Sequence, residues 1–120
     1  MGKIIVLYFA LFANLISQEL DAFHDQMLQN KCLSCHVSQQ IPDELIYRRY
    51  LIVYSTSQRM ESAIFKYMKN PNKKNSVMHY PFFFRFPMKK KSHLKDETLQ
   101  KMIKAYLTTF DIKNKLTNLE

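Results

Sequence analysis

Both cysteines of this 120-residue chain fall in one pentapeptide, Cys32-Leu33-Ser34-Cys35-His36. Two thiols three residues apart, with an imidazole beside the second, suit four kinds of chemistry. A zinc site would pair them with His36 and one of His24, His79 or His93, but none of these has the second-pair spacing of a zinc finger. A thiol–disulfide oxidoreductase carries its C-x-x-C on a βαβ scaffold, and the chain shows no alternation of strands and helices. A structural disulfide across two intervening residues is the third. The fourth, covalent attachment of a c-type haem, is the one for which C-x-x-C-H is the signature. At the end of a helix, each thiol can add to a vinyl group along one edge of the porphyrin. The adjacent His36 can then bind the iron as its proximal ligand.

That attachment needs reduced thiols and an export route, and the N-terminal residues read as one. Met1-Gly2-Lys3 supplies a positive charge, Ile4 to Ile16 run apolar apart from Asn14, and polar Ser17-Gln18-Glu19 follow. This is the order of a secretory signal. The expectation is a signal peptide over 1–17 and a working domain over 18–120, with periplasmic location. A spanning helix needs about 20 apolar residues, so no stable membrane insertion is expected after cleavage. A buried N-terminal helix is the alternative, but an apolar run with no polar face suits it poorly.

Composition narrows the field further. An apolar fraction of 47% with nine Phe and seven Tyr argues for a folded core rather than wholesale disorder. The lone glycine, Gly2, excludes a P-loop or a dinucleotide-binding fingerprint. A nucleotide-dependent enzyme is therefore not expected.

The elements that must carry the pentapeptide are helical. Leu20, Phe23, Met27 and Leu28 share one helical face ahead of it. After Pro42, the acidic pair Asp43-Glu44 suits a helix start, and Leu45 to Tyr54 continues that segment. Ser55-Thr56-Ser57-Gln58 can cap a further helix with Met60, Ala63, Ile64, Tyr67 and Met68 inside, ended by Asn70-Pro71. The clearest helix is the last, with Leu99, Met102, Ile103, Tyr106, Leu107 and Phe110 on one stripe behind Asp96 and Glu97. Between Pro71 and Leu94 no period is sustained, and a long loop is expected. Phe82-Phe83-Phe84 is at most an edge strand between Pro81 and Pro87.

At these residues the chain resembles the class I cytochromes c, small helical electron carriers. The likeness covers most of the chain beyond the signal: an amphipathic helix leading into C-x-x-C-H, a methionine-bearing loop, and a terminal amphipathic helix. Phe86-Pro87-Met88, several residues ahead of Asp96-Glu97, looks like the Pro-Met pair of small bacterial members. The resemblance implies an all-α fold around one covalently bound haem c, held by Cys32 and Cys35. It makes His36 and Met88 the axial ligands of the iron. Chemistry agrees, since a thioether is a soft neutral donor for haem iron and Pro87 restrains the backbone beside it. Met78 and His79 are rivals for that position, and an open or water-bound iron is a third possibility.

The chain departs from the family pattern in two ways. It lacks the glycine usual where the terminal helices cross, and no Gly-Pro follows the haem motif. The nearest proline is Pro42, six residues after His36. A backbone carbonyl there, or elsewhere, is expected to orient His36.

The function so implied is one-electron shuttling between redox proteins, with a haem-based gas sensor or a peroxidase-like protein as alternatives. Charge is uneven: net −2 over 18–58 and net +9 over 59–120. Lys89-Lys90-Lys91, beside Met88, could steer an acidic redox partner. Nucleic acid is not an expected partner. Phe82, Phe83, Phe84 and Phe86 are expected to wall the haem cavity. His24 and His93 are expected to be solvated.

Overall fold

The cleanest stripe in the sequence makes the central helix. In the computed structural model, which describes residues 2–117 and all their side chains except those of Leu20, Asp21, His24, Lys115 and Thr117, this element is α6, Asp96–Thr109. Leu99, Met102, Ile103, Tyr106 and Leu107 are buried along it, Leu99 completely. Burying a side chain of this size contributes about 1.5–3 kcal/mol, so the stripe alone accounts for much of the core. Phe110, at the helix end, is half-buried and packs on the Tyr106 ring at 4.9 Å between centroids.

Of the other elements, the first and fourth helices pack on α6, and the third packs on the fourth. In chain order the elements are α1 (Gly2–Leu28), a π-helical turn (Gln29–Leu33), α2 (Ser34–Ser38), α3 (Asp43–Tyr54), α4 (Ser57–Lys69), α5 (Phe82–Arg85), α6 and α7 (Ile112–Thr117). The architecture is all-helical, and the described residues contain no strand. α4 starts where the cap was expected, with the Thr56 hydroxyl accepting from the Arg59 backbone N–H. It buries Met60 and Ile64 against α6, with Ala63 and Met68 half-buried beside them. Across the α4–α6 junction Lys69 pairs with Asp96 at 2.5 Å.

The first helix differs from expectation. One helix covers Gly2–Leu28, running unbroken from the apolar stretch expected as a signal into the segment ahead of the motif. Side chains from Ile4 to Ile16 are exposed throughout, and Phe23, expected on the inner face, is 56% exposed. Leu28 in the last turn is buried. Among the described residues, no helix is long and apolar enough to cross a membrane.

The π-helical turn explains how the pentapeptide meets the core. Five residues apart on a regular α-helix, two side chains point about 140° apart. Here the Ser34 N–H bonds to the Gln29 carbonyl, five residues back, and the wider turn returns Leu33 to the same face as Leu28. Both are buried in one cluster with Leu99 and Ile103. Cys32 sits within this turn.

The long segment between α4 and α6 is irregular, as expected, with one correction. Phe82-Phe83-Phe84 forms neither strand nor loop but the short helix α5. Pro81 fits the residue just ahead of it because its fixed φ suits a helix start. Hydrogen bonds to α3 and α4 pin this segment to the helices. Arg49 Nε donates to the Val77 carbonyl at 3.0 Å, and the Ser92 N–H donates to the Met68 carbonyl at 2.9 Å.

Candidate functional site

The five residues of the motif are laid on continuous helix. Cys32 lies in the π-helical turn, Cys35 and His36 in α2. At three residues' spacing the thiols share one helical side. Both are free, Cys32 half-buried and Cys35 exposed. Burial pushes the Cys32 thiol up, and the Lys89 ammonium beside it pulls the other way. Burial in turn lowers Lys89.

α2 closes in a way that sets up the next helix. The Ile41 N–H donates to the His36 carbonyl at 2.8 Å, and the Gln40 N–H to the Val37 carbonyl at 3.2 Å. This is a Schellman cap, whose turning residue needs positive φ. Gln40 occupies it at φ 54°, where glycine is the usual choice. The chain then reverses through Pro42 into α3.

That reversal returns Asp43 to His36. The His36 Nδ1 lies 2.5 Å from Asp43 Oδ1, and the Asp43 side chain is only 13% exposed. The Pro42 carbonyl is spent elsewhere, accepting from the Ile46 N–H in the first turn of α3. So the expectation of a backbone carbonyl behind His36 is corrected: a side-chain carboxylate takes that place. A carboxylate only accepts hydrogen bonds, which puts a ring hydrogen on Nδ1; in the neutral ring the lone pair is then on Nε2.

The same carboxylate oxygen accepts a second bond, from the Tyr106 hydroxyl at 3.0 Å. Tyr106 also meets the His36 ring edge-on, with centroids 6.4 Å apart. Burial, followed by the nearby Asp43 charge, drives the Tyr106 phenol far above its ordinary value. It remains a neutral donor.

Met88 stands in the irregular segment ahead of α6, half-buried. Its sulfur accepts from the Tyr67 hydroxyl at 3.2 Å. Burial pushes the Tyr67 phenol up, and a hydrogen bond with Ser76 draws it back. A thioether sulfur has two lone pairs, so one bond from Tyr67 leaves the other available. Tyr50 is buried and stacks on Tyr54 with centroids 6.0 Å apart, and burial pushes its phenol up.

The rival residues are held differently. Met78 is half-buried, with its N–H bonded to the Ser76 hydroxyl, and His79 and His93 are exposed. The His24 side chain lies outside the described residues. Phe86 is buried and stacks on Phe82 at 4.7 Å, whereas Phe84 is 84% exposed. The aromatic wall expected of all four is therefore not a feature of this arrangement at Phe84. Lys89 is half-buried with its Nζ donating to the Lys90 carbonyl, while Lys90 and Lys91 are exposed. A cleft of about 340 Å³ between α4 and α6 is lined by Glu61, Ser62, Phe65, Gln100, Ile103 and Lys104. None of these belongs to the motif or to the Met88 segment.

Nothing in the sequence alone marks Asp43, Tyr67 and Tyr106 as site residues. Asp43 reads there as a helix-start charge, and the tyrosines as core. One signal was available: a buried tyrosine hydroxyl needs a polar partner, so phenols on apolar stripes point toward polar groups in the interior.

Among the described residues, no three His, Cys, Asp or Glu side chains converge as a ready-made metal cage. A haem asks less of the protein, because the porphyrin supplies four nitrogens and the chain adds an axial ligand or two. The donors fit that request: two free thiols, an imidazole with its neutral-ring lone pair on Nε2, and a thioether oriented by a phenol. No protein-family model, no characterised protein and no solved structure matches the chain.

Proposed function

We propose that the chain is a monohaem c-type cytochrome of the class I kind that carries single electrons. The observation that carries this reading is the state of His36. Its Nδ1 is engaged by Asp43, which in the neutral ring puts the lone pair on Nε2, and it adjoins the two free thiols of the only C-x-x-C. Cys32 and Cys35 would hold the haem covalently, His36 would bind its iron on one side and Met88 on the other. Bound there, the haem supplies an iron that takes up and returns one electron. The protein's own part is to hold both ligands in place in either oxidation state, so that transfer needs no ligand exchange.

The remaining features follow from this reading. The apolar run over 4–16, exposed on every side, serves as the export leader, and residues 18–120 form the periplasmic domain. Exposed Lys90 and Lys91, beside the Met88 segment, would steer an acidic redox partner, an attraction that salt weakens. Optical spectra of the protein matured with haem test the proposal. A Met-to-iron charge-transfer band in the oxidised form and slow carbon monoxide binding in the reduced form are expected. A high-spin spectrum with rapid carbon monoxide binding would instead indicate a sensor or a peroxidase-like protein.

A further inference from the structure

We infer that Asp43 and Tyr106 set the electron-donating strength of His36, and through it the reduction potential, acting as opposed positioning residues. This rests on the cytochrome reading above and goes beyond it. His36 and Tyr106 meet on one atom: Asp43 Oδ1 receives the His36 Nδ1 at 2.5 Å and the Tyr106 hydroxyl at 3.0 Å. A carboxylate that accepts from Nδ1–H makes the opposite nitrogen a stronger donor. It also places a negative charge one ring away from the metal. Both effects favour the more positively charged oxidised iron.

Tyr106 works against this. Its hydroxyl draws on the same oxygen, so less of the carboxylate's basicity reaches the imidazole. The competition is sheltered from water, with the Asp43 side chain 13% exposed and Tyr106 buried, and in such surroundings each hydrogen bond carries more electrostatic weight. A backbone carbonyl in that place would carry no net charge. The side chain makes the proximal ligand adjustable by mutation in both directions.

The test is redox titration of the haem-loaded protein and two variants, with intact mass confirming covalent haem in each. Asp43→Asn keeps the shape and removes the charge. It should raise the potential by about 59 mV or more, a tenfold change in the equilibrium for a one-electron couple. Tyr106→Phe removes the competing donor and should lower the potential, by a roughly two- to threefold change in the same equilibrium. Opposite signs are the signature, because loosening of the fold would not move the two variants apart. Unmoved potentials, or shifts of one sign in both, overturn the inference. If Asp43→Asn fails to fold, Tyr106→Phe decides alone: a lowered potential supports the inference, an unchanged or raised one overturns it. Haem missing from the unsubstituted chain would instead overturn the cytochrome reading, and this inference with it.

Discussion

His36 and Met88 are held by opposite means. His36 stands on a helix, its carbonyl fixed in a Schellman cap and its ring clamped by a buried carboxylate that is itself held by Tyr106. Met88 stands on irregular backbone, fixed by one phenol bond to its sulfur and by the Ser92–Met68 backbone bond four residues on. The histidine side is over-determined, and the methionine side hangs on a few contacts. Segments with few buried contacts open first. Stress on the site should therefore release Met88 long before His36.

On the proposed reading, the largest effect should come from removing the two thiols. With Cys32→Ala/Cys35→Ala, a haem would have no covalent tether and the segment over 71–94 would lose the apolar partner proposed for it. By analogy with metal-coupled folding, circular dichroism should report a mostly disordered chain. A cooperative melt close to that of the parent would show that the helices do not need the cofactor.

Met88→Ala comes next. It should abolish the charge-transfer band of the oxidised protein and lower the reduction potential, while Met78→Ala leaves both nearly unchanged. The reverse outcome would move the distal ligand to Met78 and detach the lysine run from the site. A finer cut is Tyr67→Phe, which removes the bond to the Met88 sulfur and leaves the ring in place. Its expected cost to the methionine side is about 1 kcal/mol, read as tighter binding of added imidazole to the oxidised protein. Imidazole affinity unchanged from the parent would mean that Tyr67 does not hold Met88.

The smallest change probes the histidine side. Gln40 pays the left-handed backbone strain that glycine avoids, about 1–2 kcal/mol, against glycine's larger loss of freedom on folding. Gln40→Gly should raise thermal stability by roughly 0.5 kcal/mol without altering imidazole binding. A loss of stability would show that the Gln40 side chain contributes more than its backbone costs.

The two sides also differ in how much of them the sequence discloses. Helical period reveals α4 and α6 down to the buried residues Met60, Ile64, Leu99 and Ile103, because a stripe on a surface helix has one way to face a core. The motif itself is local in sequence and equally plain. Asp43 behind His36 is hidden because it depends on the reversal at Gln40, where a non-glycine residue adopts positive φ. Its acidic charge also has a sufficient local explanation at a helix start. The π-helical turn is hidden for a related reason: the burial of both Leu28 and Leu33 shows only once the core is assembled. Phe82 to Arg85 fold as a helical turn between two prolines, too short for periodicity to register. The Tyr67–Met88 contact joins residues 21 apart across irregular backbone, which no spacing rule reaches.

The central claim is that Cys32 and Cys35 hold a haem. Intact mass of the exported protein, together with acid–acetone extraction, tests it most directly. The expected mass exceeds that of the processed chain by one haem, with the colour remaining on the polypeptide after extraction. A mass equal to the bare chain, or haem passing wholly into the solvent, would contradict it.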